Sequence, residues 1–268
     1  VPTSEDFAMP DPTAEPSLPA GSWRGYHRAT RMATYSFLSA LPLLVLYEGL
    51  ILLFNQGQTM QVRISAEVWM KWIFSLFGAA GVHVLAGVVL IVGVVIFYAE
   101  RRKNVPLRPR YFGWMIGESA VYAVLLALLV STVVGMIFTM APTTTPAAMA
   151  PQMAGGSIGM QLALSIGAGL YEELLFRVLL VGGLYLGLKA VFPERPRYAY
   201  IIAALVGALL FSAVHYIGAL GDTFTLASFT FRFLFGLALN VVFLVRGFGV
   251  AAWTHALYDV MIVTSLLG

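Results

Sequence analysis

Apolar residues along the chain gather into seven long runs, near 33–54, 72–98, 111–140, 158–190, 198–220, 224–245 and 248–267. Short stretches rich in Lys, Arg, Pro and Gly separate them. Each run has about 20 residues or more, enough at a 1.5 Å rise to cross a ~30 Å hydrocarbon core as a helix. The runs are too long, and too little alternating, to be strands. The pattern predicts an all-α fold, a polytopic membrane helix bundle of about seven transmembrane helices. Runs 72–98, 111–140 and 158–190 exceed one bilayer thickness and are expected to tilt, bend or project. No internal repeat is visible.

Composition narrows this further. Hydrophobic residues make up 59% of the 268 and charged residues 11%, and the mean hydropathy is +0.84. Such a chain is too apolar for a soluble domain, a disordered protein or a nucleic-acid binder. The absence of cysteine removes disulfides, thiolate metal sites and a cysteine nucleophile. The first 20 residues carry five prolines and four acids with no base. They have neither the basic nor the apolar region of a signal peptide. Residues 1–32 are therefore expected to form a disordered cytoplasmic tail ahead of a transmembrane domain at 33–268.

Lys and Arg distribute unevenly over the connections. Alternate connections hold 3, 5, 3 and 1 of them, against 2, 0, 0 and 0 in the others. By the positive-inside rule the N-terminus is cytoplasmic and the uncharged loop 141–157 is extracytoplasmic. A multi-pass protein of a prokaryotic plasma membrane is expected, with the bilayer and a membrane protein or peptide as its partners and no nucleic acid.

Ionisable residues inside the runs cost several kcal/mol unless paired or hydrated. They are Glu48, His83, Glu118, Glu172, Glu173, Arg177, His215, Arg232, His255 and Asp259. Glu173 and Arg177 are four apart and can pair along a helix. Glu172 points about 100° away from Glu173 on an α-helix, toward another helix or water. Phe211 and His215 share a face of the fifth run, as His255 and Asp259 do of the last. One carboxylate, two imidazoles and a fourth polar group on three helices can converge. Glu48, His83 and Glu118 are expected to be packed or paired residues. Arg232 is expected to neutralise an acid on a neighbouring helix, with Asp259 or Glu172 as candidates.

The ordered set Glu172-Glu173-x-x-x-Arg177, Phe211-x-x-x-His215 and His255-x-x-x-Asp259 resembles the motifs of the CAAX protease and bacteriocin-processing family, also called the ABI family. The resemblance covers roughly residues 158–268. It implies an intramembrane endopeptidase with catalytic residues Glu172, His215, His255 and Asp259, supported by Glu173 and Arg177. Glu172 would activate a water with help from His215, while His255 and Asp259 would hold the oxyanion or the substrate carbonyl. Arg177 would orient the glutamates. Asp259 stands where many relatives carry Asn, and an ionised Asp cannot donate to an oxyanion. It is therefore either protonated or an orienter of His255.

Two readings compete. No cofactor is favoured, but zinc held by Glu172, His215, His255 and Asp259 would suit the ligand types. A proton-coupled transporter or a non-catalytic immunity protein is the other class. Depth poses a difficulty for convergence. His215 lies about 26 Å along its helix and His255 only about 10 Å along its own, counted from the cytoplasmic ends. The two meet only if the turn Arg246-Gly247-Phe248-Gly249 is buried, or if the fifth helix tilts or starts late.

Overall fold

The computed structural model describes residues 22–56, 63–75, 81–103, 107–138, 157–218 and 221–266, without the side chains of 73–75 and 81–86. These residues are helical with no strands among them. The helices are α1 (Trp23–Thr30), α2 (Ala33–Phe54), α3 (Ser65–Ser75), α4 (Gly81–Glu100), α5 (Pro109–Ile137), α6 (Ile158–Val191), α7 (Pro196–Val214), α8 (Leu226–Arg246) and α9 (Phe248–Val263). Helices α2, α5, α6, α7 and α8 are long and apolar enough to cross a membrane.

Local chemistry explains several boundaries. Pro109 and Pro196 open α5 and α7 at the first turn, where a missing N–H costs nothing. Ser157 and Thr225 cap α6 and α8 through their hydroxyls. Gly247, at φ 85°, ends α8 in a backbone region that favours glycine.

Polarity is inverted relative to a soluble protein. Large side chains such as Val45, Leu52, Leu90, Leu129 and Leu186 are exposed, whereas Glu67, Glu173, Arg177, Arg232, Arg246, His255 and Asp259 are buried. An apolar outer surface suits lipid, and buried charges must then find partners inside the bundle.

Three differences from the expected layout are informative. Residues 1–21 and 139–156 lie outside the described set, but the expected tail is not irregular throughout. Trp23–Thr30 is helical, and Tyr26 and Thr30 are buried. Tyr26 donates to Glu118, and Thr30 receives a bond from Arg246. Of the run 72–98, residues 76–80 lie outside the described set, and the others fall in α3 and α4.

The third difference concerns the last run. Helix α9 starts at Phe248, as the run does, and ends at Val263, four residues before the run ends. Arg246 grips Glu118 with two parallel hydrogen bonds of 2.6 and 2.8 Å. Glu118 lies about 14 Å along α5 from Pro109. The turn before α9 is therefore raised to that depth, and the mismatch between His215 and His255 closes. Ser119 on α5 donates to the Val250 carbonyl, and Trp253 donates to the Ser39 carbonyl on α2, fixing α9 on two sides.

Candidate active site

Helix α6 widens where the acidic motif falls. Ala168–Glu172 and Leu174–Val181 are π-helical. A π-turn holds an extra residue, so consecutive side chains diverge by less than in an α-helix, and such turns recur at functional sites. Gly169 lets this segment press against α9. A Cβ there would lie 2.5 Å from the Ala252 carbonyl oxygen and 2.5 Å from the Ala256 nitrogen.

The close approach sets both glutamates around one imidazole. Nδ1–H of His255 donates to Glu173 Oε1 at 2.8 Å. The same oxygen lies 2.9 Å from Nη1 of Arg177. On the opposite edge of the ring, Nε2 of His255 is 3.9 Å from Glu172 Oε2 and 3.5 Å from Asp259 Oδ2. Glu172 Oε2 is also 3.9 Å from Nε2 of His215. Helices α6, α7 and α9 thus bring Glu172, His215, His255 and Asp259 together, with Glu173 and Arg177 behind them.

Each ring is oriented by its other nitrogen. His215 donates through Nδ1 to the Phe211 carbonyl at 2.7 Å, which leaves Nε2 of the neutral ring as an acceptor facing Glu172. Phe211 stands edge-on to both imidazoles, with ring centroids 5.0 and 5.9 Å away, and receives the Arg177 guanidinium on its face. The Phe211-x-x-x-His215 motif therefore supplies a spacer as well as an imidazole. Glu172 keeps more exposure than Glu173, with side chains 12% and 0% accessible. This divides the pair into a reachable carboxylate and a sealed one.

Among the described residues no group of three or more His, Asp or Glu side chains is placed to hold a metal ion.

Glu48 and Glu118 are paired, as expected, whereas Arg232 has a different partner from those expected. Arg232 pairs with Asp222, in the segment before α8, and not with Asp259 or Glu172. Burial pushes the Asp222 carboxyl above the usual carboxylate range, while the Arg232 charge opposes that shift. Glu118 pairs with Arg246. Glu48 faces Arg63 at 3.3 Å, within a cluster that also holds Glu67, Lys71, Tyr47 and Tyr171. Sequence reasoning missed Glu67, although the four-residue spacing of Arg63, Glu67 and Lys71 carries that signal. The His83 side chain lies outside the described set.

Helices long and apolar enough to cross a membrane, together with the shorter α9, thus gather Glu172, Asp259 and two imidazoles in the interior of the bundle. Residues 154–261 match the model of the type II CAAX prenyl endopeptidase Rce1-like family. The matched stretch contains all three motifs, so the family found is the one the motifs resemble. No curated protein and no solved structure matches the chain.

Proposed function

We propose that this protein hydrolyses a peptide bond of a membrane-associated protein or peptide with a water activated by Glu172. The observation that carries this reading is the position of Glu172 Oε2, 3.9 Å from Nε2 of both His215 and His255. That spacing is too long for a direct hydrogen bond and suits one bridging water.

The water donates one hydrogen to Glu172 and the other to Nε2 of His215. Glu172 takes the proton as the oxygen attacks the scissile carbonyl carbon. The C=O π bond becomes an oxyanion, to which His255 donates from Nε2 when its ring is doubly protonated. Glu173 and Asp259 stabilise that cationic ring from opposite edges. An ionised Asp259 has no proton to give an oxyanion, so in this chain it acts through His255. Collapse of the oxyanion re-forms C=O and breaks the C–N bond, and Glu172 returns its proton to the leaving nitrogen.

The test has two parts. Purified protein is incubated with a farnesylated peptide carrying an aliphatic C-terminal tripeptide, alongside the E172Q variant. Membrane proteomes of cells carrying either form are then compared for proteins that remain uncleaved. Cleavage by the wild type and its loss in E172Q are expected. Full activity of E172Q would overturn the hydrolytic reading.

A further inference from the structure

His215 sits one residue past the last turn of α7, a position at which helices fray. Here the backbone is fastened. The Asp222 N–H donates to the His215 carbonyl at 2.9 Å. The Asp222 carboxylate accepts from Nη2 of Arg232, on α8, at 2.5 Å. Nη1 of Arg232 donates to the hydroxyl of Tyr216, the residue after His215, and the guanidinium lies over that ring, 5.0 Å from its centroid. Tyr216 also shares a hydrogen bond with Ser228 Oγ at 2.7 Å. One turn earlier, Ser212 donates to the Phe229 carbonyl at 2.8 Å. The end of α7 is thus tied to the first two turns of α8 from both sides of His215.

Arg232 is an expensive residue for this duty. It is buried in an apolar helix, and replacing a buried ion pair with packed apolar side chains is often neutral or stabilising. Crossing the membrane does not require it. Its contacts converge on the segment that carries His215, and a pair between two structural loops would have no reason to bracket that residue.

We infer that Arg232 and Asp222 are positioning residues for His215. They fix its backbone carbonyl and the following tyrosine, so that the ring keeps its Nδ1–H bond to Phe211 and holds Nε2 toward Glu172. The inference rests on the reading of Glu172 and His215 as the water-activating pair. Without the pair, the turn loosens, Nδ1 exchanges its carbonyl for water, and Nε2 swings away.

The experiment reads the imidazole directly. Full-length protein labelled with nitrogen-15 histidine is examined by NMR in detergent micelles, with H215Q assigning the signals. Wild-type His215 is expected as one neutral tautomer protonated at Nδ1. D222A and R232M should convert this to tautomer averaging while the His255 signals stay in place. On the farnesylated peptide the same variants should lower kcat about tenfold to a hundredfold. KM should change less than about twofold, since the substrate does not touch the pair. R232K should recover part of kcat. D222N keeps the backbone N–H and the side-chain size, and supplies a milder variant with an intermediate spectrum. An unchanged His215 tautomer in D222N and R232M would overturn the inference, and so would equal disturbance of His215 and His255. If wild-type protein cleaves no peptide while the spectra behave as expected, the hydrolytic reading fails and the positioning role stands.

Discussion

Glu172 and Glu173 are neighbours in sequence yet reach opposite edges of a single ring, Glu173 meeting Nδ1 of His255 and Glu172 facing Nε2. The sealed acid fixes the imidazole, and the other keeps an accessible face. Two chemically identical side chains therefore have separable roles, and substitution should tell them apart.

Replacing Glu172 by Gln removes the proposed general base but leaves the Glu173–Arg177–His255 contacts intact. Turnover of the farnesylated peptide should fall by about 10²–10⁴-fold. The thermal unfolding midpoint in detergent should stay near that of the wild type. A large drop in that midpoint would show that Glu172 is a structural acid.

Replacing Glu173 by Gln should behave oppositely. It strands the Arg177 charge, which is 1% exposed. Breaking a buried pair from one side costs about 3–5 kcal/mol. E173Q and R177M should each lower thermal stability as well as activity. The double variant should be less unstable than the sum of the two, because no lone charge is left. Additive losses would contradict the pairing.

Gly169 should tolerate no side chain. Overpacking of this kind costs about 1–3 kcal/mol, and the strain would be relieved by parting α6 from α9, which carries His255 away from both glutamates. G169A is expected to lose turnover more than stability, and G169V to lose both. A G169A protein with full kcat would show that the glutamates do not need this close approach.

A metal-independent reaction should survive chelators. Activity is expected to be unchanged after incubation with excess EDTA or phenanthroline, and purified protein should carry no stoichiometric zinc. Loss of activity that added zinc restores would replace the glutamate mechanism with a zinc-dependent one.

Much of this was legible in the chain. The apolar runs at 33–54, 111–140, 158–190 and 224–245 correspond closely to α2, α5, α6 and α8, because lipid demands uninterrupted hydrophobicity over a fixed length. The Glu173–Arg177 pair followed from helical spacing. The π-turns did not, since nothing in Ala168–Val181 distinguishes a widened turn from an α-helix by periodicity. The partner of Arg232 was also hidden. Asp222 lies in a connection read only for its missing bases, and a tertiary contact between a loop and the next helix leaves no periodic trace. The early start of α9 was posed as a question by the depths of His215 and His255, and the Arg246–Glu118 pair answers it.

That pair also bears on how the protein is made. Arg246 is a buried charge on an otherwise apolar hairpin, and exposing it to lipid without Glu118 would cost several kcal/mol. A chain in which α5 is inserted first would already offer Glu118 to Arg246, and a nascent chain bearing E118Q is expected to leave the insertion machinery more slowly. Crosslinking of such chains to the insertion machinery would reveal the delay. A contact that looks like static bracing in the finished molecule would then also act, during synthesis, as a constraint on the order of assembly.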